Sequence, residues 1–419
     1  DLANLEYLTF AYNKITALPA EIGRLKRLQI LKLECNQLQT LPDSFCELTA
    51  LQTLDLRSNH LSSLPSQFGR LTSLRDLDLE ENSLNSLPEN MCDLKQLAAL
   101  NLKKNQLTIL PSSFGDFPCL KTLDLSENKI TALPNIMGFL PQCEKLDLES
   151  NRIESLPDTI IHWGNLEWLN LQRNLLQHIP THIEGCKRLK SLQLAGNRLE
   201  RLPDTICNLK DLKGLWLNGN LLKNLPNQIG NLTNLTFLKL DRNSLQFFPE
   251  SIGKLTKLEE LHAISNQIKE IPSTLGSLRA LKILFLGTNL LDSLPDSMEG
   301  LASLEQLGLG DNQLISIPEC VFRLITLKSL GLQENNISTL SEKIAYLENL
   351  ESLGLEHNRL DHLSGRIGCL KKLKYCWLDH NLLTSIPDSL GELPALKLLY
   401  LDNNALTALP PSFARLAEG

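Results

Sequence analysis

Three things are scarce in this chain of 419 residues: aromatic side chains, basic stretches and long apolar runs. Aromatics occupy 5% of positions against 42% for all hydrophobic residues, so the core has to be aliphatic, and leucine supplies most of it. No apolar run approaches the roughly 20 residues that span a bilayer, and no secretory leader opens the chain, so no membrane insertion is expected. The formal charge is −7. A nucleic-acid binder needs a basic stripe to displace counterions from phosphates. The short clusters Arg24 to Arg27, Lys187 to Lys190 and Lys371 to Lys374 are too dispersed to make one; they read as solvated faces.

Catalytic and metal signatures are also missing. There is no G-x-x-x-x-G-K-[ST], G-x-S-x-G or H-E-x-x-H pattern, so no catalytic residue, cofactor or metal site is expected and the chain does not read as an enzyme. His178 and His182 stand four apart but flank Pro180 and lack an obvious third ligand. His262, beside Glu260 and Asp241, reads as an exposed contact histidine, because a shallow open surface excludes too little water for acid–base work. Ten cysteines include no C-x-x-C pair. Cys143, Cys186 and Cys376 take leucine positions, while Cys46, Cys92 and Cys207 share one small-residue position. That usage fits buried thiols in a reducing compartment. Three N-glycosylation sequons, at Asn231, Asn234 and Asn336, are weak evidence to the contrary in a chain so rich in Asn, Ser and Thr.

What is abundant is periodicity. Asparagine recurs every 23 residues without insertion or deletion: Asn13, Asn36, Asn59, Asn82, Asn105, Asn128, Asn151, Asn174, Asn197, Asn220, Asn243, Asn266, Asn289, Asn312, Asn335, Asn358, Asn381 and Asn404. Around each runs a frame such as Leu28, Leu31, Leu33, Asn36, Leu38, Leu41, Pro42, Phe45 and Leu48. Leucines two apart point to one side of a short strand. A lone strand cannot bury that side, but parallel neighbours stacked about 4.8 Å apart can. The expected fold is therefore an α/β solenoid: a curved right-handed superhelix with a parallel sheet on its concave face and short helical or irregular segments on its convex face. Each asparagine amide can donate to and accept from backbone of the turn, so all eighteen are expected on one buried ladder. Proline follows the next leucine in every repeat except two, where Ser341 and Ser364 stand instead; serine caps a helical turn, and a local change of the convex side is expected there. The phase never breaks, so residues 1–419 read as a single repeat domain. The chain begins at Asp1 and stops at Arg415–Gly419 inside repeats, as expected of a fragment of a larger protein.

The 23-residue frame with L-P-x-x-I/F resembles the intracellular leucine-rich repeats of Ras-pathway scaffolds, the Ras suppressor protein and the Scribble and Erbin family. It is also similar to plant Ras-group-related proteins, fungal adenylyl cyclases and repeat proteins of some bacteria. The resemblance covers the whole chain and implies a cytoplasmic scaffold in signal transduction whose concave sheet holds a protein, often a small GTPase or a phosphatase. An alternative is a bacterial effector that recognises a host protein after secretion into the host cell. An enzyme with an unrecognised site is the distant third.

Residues flanking the strand leucines face the concave surface, and they change character along the chain. The first half is acidic: Asp55, Asp78, Asp124 and Asp147 fall between the two leucines, with Glu80 and Glu149 near. Arg57, Lys103 and Lys145 moderate that charge, and the strip reads as a variant of the repeat. The second half collects large apolar residues where water is expected. The candidate partner-binding set is Trp168, Trp216, Phe237, Lys239, His262, Ile264, Ile283, Phe285, Gly308, Gly331, Gly354, Tyr375, Trp377 and Tyr400. Its three glycines, joined by Gly287 and Gly310, read as a bare floor between two aromatic walls.

Overall fold

The structure is a computed structural model that describes residues 2–413; Asp1 and the partial repeat at Arg415–Gly419 lie outside the described residues. By compactness the chain divides into two units, Asp1–Leu215 and Trp216–Gly419. The first carries nine three-residue strands: β1 (Tyr7–Thr9), β2 (Ile30–Lys32), β3 (Thr53–Asp55), β4 (Asp76–Asp78), β5 (Ala99–Asn101), β6 (Thr122–Asp124), β7 (Lys145–Asp147), β8 (Trp168–Asn170) and β9 (Ser191–Gln193). The division falls within β10 (Gly214–Trp216). The second unit continues with β11 (Phe237–Lys239), β12 (Glu260–His262), β13 (Ile283–Phe285), β14 (Gln306–Gly308), β15 (Ser329–Gly331), β16 (Ser352–Gly354), β17 (Tyr375–Trp377) and β18 (Leu398–Tyr400).

Within each unit successive strands pair in parallel with a register step of one repeat, Leu31 against Leu54 and Leu54 against Leu77 in the first, Leu284 against Leu307 and Leu307 against Leu330 in the second. Pairing continues past the three-residue strands, for Leu33 N donates to Asp55 O at 2.8 Å and Cys35 N to Arg57 O at 2.9 Å. The inward positions of the frame are fully buried: Leu28, Leu31, Leu33, Leu38, Phe45 and Leu48 are each at 0% exposure. A leucine removed from water in this way contributes about 1.5–3 kcal/mol. Stacking of repeats is thus what holds each unit together.

Asparagine does the polar work of the turn. Asn59 donates through Nδ2 to Leu33 O in the preceding repeat and to Leu56 O in its own, both at 3.0 Å, while its Oδ1 accepts from Leu38 N at 3.0 Å. The pattern recurs within each unit, and the asparagines from Asn36 to Asn220 and from Asn289 to Asn381 are buried. The expectation that all eighteen are buried needs correction. Asn243, Asn266 and Asn404 are half-buried and Asn13 is exposed. Asn13 has only the Phe10 and Ala11 carbonyls to donate to, since the described residues place no repeat before it.

Immediately before each asparagine the backbone turns left-handed. Sixteen of these residues are not glycine, among them Tyr12, Ser58, Arg173, His357 and His380, with φ between 51° and 58°. The other two, Gly196 and Gly219, have φ of 68°. Non-glycine residues adopt this conformation at about 1–2 kcal/mol each, and within the repeats it is sustained by bonds from turn amides to the next repeat, as in Ser58 N to Glu80 O at 2.8 Å.

The opposite side of each unit is a row of 3-10 turns of three to five residues, most opened by proline. Ser341 and Ser364 do cap their turns: their hydroxyls accept from Lys343 N at 3.3 Å and Arg366 N at 3.2 Å. An extra parallel bridge joins Thr339 to His362 just ahead of them. At the position shared by Cys46, Cys92 and Cys207 the turns pack so closely that a Cβ on Gly69 would stand 2.0 Å from Asn90 O. No helix among the described residues is long and apolar enough to cross a membrane.

Candidate functional site

The outward strand positions of the second unit carry a chain of rings. Trp216 packs on Phe237 with centroids 4.9 Å apart, Phe237 on His262 at 5.6 Å, and His262 edge-on to Phe285 at 5.1 Å. Register explains the order. Phe237, Glu260 and Ile283 align in one column, and Lys239, His262 and Phe285 in the next, so Phe237 meets His262 diagonally while His262 and Phe285 face each other directly across neighbouring strands. All four rings are half-buried. His262 is not the exposed contact expected of it: its side chain is 16% exposed, held between two phenylalanine rings with Nε2 3.4 Å from Glu260 Oε2. At the margin, Asp241 accepts from Ile264 N at 2.8 Å and stands 3.7 Å from Lys239 Nζ.

Gly308, Gly331 and Gly354 do align on successive strands, but the floor is not bare. A Cβ on Gly308 would lie 2.9 Å from Cδ1 of Phe285, so that ring lies over the glycine. The Gln333 amide covers Gly310 and Gly331, and the Glu356 carboxylate covers Gly354. The covers are side-chain atoms and not backbone. Glu356 Oε2 is buried with no hydrogen-bond partner. Burial raises this carboxyl above its ordinary range, and the nearby Asp379 charge adds to the effect.

Beyond the glycines lies the second aromatic group. Tyr375 and Trp377 stack at 6.1 Å, and Trp377 is in register with Tyr400. Tyr375 and Tyr400 are exposed, Trp377 half-buried. Trp168 belongs to the first unit and is separately accounted for there, because Lys145 Nζ lies 4.7 Å over its ring.

The acidic strip of the first unit lines a hollow of about 470 Å³ on the strand face, bounded by Lys32, Asp55, Asp78, Asn101, Asp124 and Asp147 among others. Each of these aspartates has a local task. The Oδ1 atoms of Asp55, Asp78, Asp124 and Asp147 accept from the amide two residues on, at 3.2, 2.9, 2.9 and 3.0 Å. Asn101 and Asn170 do the same in their repeats. An acceptor is therefore favoured at this position whatever binds. Burial, with a smaller contribution from Asp124, pushes the Asp147 carboxyl up to about 6.

Residues suited to chemistry are mostly dispersed. His182 Nδ1 pairs with Asp158 Oδ1 at 3.2 Å, and neither His178 nor His182 joins a group of three metal-ligating side chains among the described residues. All ten cysteines are free. Burial pushes the thiols of Cys143, Cys186 and Cys376 up to about 12, so they stay protonated and non-nucleophilic. One cluster had escaped the sequence reading: His357, Asp379 and His380.

Known proteins place this arrangement. A leucine rich repeat model matches residues 63–107, 107–153, 141–199, 187–245, 325–383 and 348–406, and a leucine-rich repeat region model matches 1–79 and 228–317. A leucine-rich-repeat protein of Leptospira interrogans is 32% identical over 99% of this chain and 94% of its own, with a TM-score of 0.76. The plant peptide hormone receptor RGFR1, solved in complex with RGF2, is 28% identical over 99% of this chain and 73% of its own, with a TM-score of 0.79. The Arabidopsis receptor kinase HAESA, solved with the peptide hormone IDA and the co-receptor SERK1, is 28% identical over 98% and 75%, with a TM-score of 0.73. No curated protein sequence matches the chain.

Proposed function

The chain belongs to the leucine-rich-repeat family, and from that premise we propose that it is a non-enzymatic protein-binding domain whose partner docks on the strand face of the second unit, between Trp216 and Tyr400. The observation that carries this reading is the half-buried ring chain Trp216, Phe237, His262 and Phe285, followed by three aligned glycines under side-chain covers. Rings of this kind bring large contact area at small entropic cost, and such residues dominate binding energy in interfaces. RGFR1 and HAESA, similar in fold, are solved with RGF2 and the peptide hormone IDA, which supports a peptide or protein loop as the occupant here. The 23-residue phase runs through Leu215 and Trp216 unchanged, and on that ground the eighteen repeats are proposed to form one domain.

The finer reading is an intracellular signalling scaffold of the Ras-pathway or Scribble and Erbin type with a small GTPase or phosphatase as partner. It rests on the resemblance of the frame and on ten unpaired cysteines. A second reading rests on the hollow at Asp55 to Asp147: a basic partner on the first unit. Photocrosslinking separates them. A benzoylphenylalanine at Tyr400 is expected to trap the partner, and one at Thr122 is expected to leave it free; the opposite pattern moves the site to the acidic face.

A further inference from the structure

Each turn after a strand ends in the left-handed residue that precedes the ladder asparagine. In two successive repeats of the second unit that residue is histidine, His357 and His380, with φ of 53° and 51°. Equivalent bonds clamp both backbones, His357 N to Asp379 O at 3.0 Å and His380 N to Asp402 O at 2.9 Å. The side chains therefore leave the turns side by side, and their rings stack 4.0 Å apart at 14°. Asp379 brings a carboxylate to the same place, its Oδ2 2.9 Å from His380 Nδ1. One donor atom from each of the three residues lies within 4.8 Å of the others.

We propose that His357, Asp379 and His380 bind a divalent transition-metal ion of the zinc class. Two imidazoles and one carboxylate are the donors such ions take, whereas calcium and magnesium take oxygen sets. Ligands about 2.0–2.2 Å from a tetrahedral ion stand roughly 3.4 Å apart, so a spread of up to 4.8 Å has to close by as much as about 1.4 Å. Stacked rings hold their lone pairs parallel, and closure therefore requires the two imidazoles to tilt about χ2. In the structure Asn403 Nδ2 lies 2.9 Å from His380 Nε2. That contact makes Nε2 the acceptor and puts the ring proton on Nδ1, toward Asp379. When the ion takes Nδ1, the proton sits on Nε2 instead, and Asn403 turns its amide to accept it. Asn403 then orients the ring, as an outer partner does for most metal-bound histidines.

Three protein ligands leave a fourth coordination position open.

The test uses the full chain with the exposed thiol of Cys119 blocked by iodoacetamide. Zinc is titrated calorimetrically, and cobalt is followed by its d–d absorption. One equivalent is expected to bind at submillimolar concentration. His357→Ala and His380→Ala should each weaken it by at least the roughly 10- to 100-fold that loss of an outer partner causes, and Asp379→Asn should do likewise with the fold unaltered by circular dichroism. A His178→Ala, His182→Ala double variant should bind as the parent does. No saturable binding by the parent chain, or binding that survives loss of both His357 and His380, overturns the proposal. The readout is metal alone, so its outcome is independent of whether a protein docks on the strand face.

Discussion

Phe285 lies over Gly308, with Cδ1 2.9 Å from the point where a Cβ would stand. The glycine is thus the seat of the ring. Gly308→Ala has to lift Phe285, while the added methyl relieves a strand glycine of about 0.5–1 kcal/mol of backbone entropy. Stability in urea is expected to change by no more than about 1 kcal/mol, with the Phe285 ring resonances shifted in NMR. A large loss of stability with an unmoved ring contradicts this packing.

Asn197 and Asn13 separate a full rung of the asparagine ladder from a partial one. Asn197 Nδ2 donates to Leu171 O at 2.9 Å and Leu194 O at 3.0 Å, and its Oδ1 accepts from Leu176 N at 3.0 Å. Asn13 is exposed and has local acceptors only. Asn197→Ala should lose about 1–3 kcal/mol in chemical denaturation and Asn13→Ala less than about 0.5 kcal/mol. Equal losses would mean that the inter-repeat bonds contribute little.

Asp147 gives the fold a pH dependence of defined sign. Its folded pKa, about 6, lies above the ordinary aspartate value of 3.8. Its contribution to stability is therefore full below pH ~3.8 and lost as pH rises through ~6, leaving a buried charge that destabilises at neutral pH. Asp147→Asn retains the Oδ1 acceptor for Glu149 N. It should stabilise the chain at pH ~7 by the order of 1 kcal/mol, discounted for partial exposure, and have little effect near pH ~3.5. The same gain at both pH values excludes titration as the cause.

Thiol reactivity should follow burial. Cys119 is exposed, whereas Cys143, Cys186 and Cys376 have thiols pushed up to about 12. In native protein at mildly alkaline pH, iodoacetamide followed by mass spectrometry should find Cys119 modified first. The other three should react only after unfolding. Early modification of Cys376 would show that its repeat opens.

The spacing of leucine and asparagine was enough to read the parallel strands, the turn ladder and the caps at Ser341 and Ser364, because each depends on local geometry repeated in phase. Three features were hidden. The left-handed residue before each asparagine is glycine only at Gly196 and Gly219, so composition does not mark it. The covers that Gln333 and Glu356 place over the glycines, and the sandwiching of His262, depend on side-chain directions across neighbouring strands. His357 and His380 stand one repeat apart, and a reading of the column before the asparagines, like that made between the leucines, would have paired them.

The most direct test of the partner surface is calorimetric titration of the captured partner against point variants. Trp216→Ala and Trp377→Ala should each weaken binding at least about tenfold, since a buried aromatic anchor commonly carries about 2 kcal/mol and a decade of Kd is about 1.4 kcal/mol. Asp78→Ala, on the first unit, should change Kd by less than about threefold. If Asp78→Ala is the damaging change and both tryptophan variants bind as the parent does, the partner docks on the acidic hollow and not between Trp216 and Tyr400.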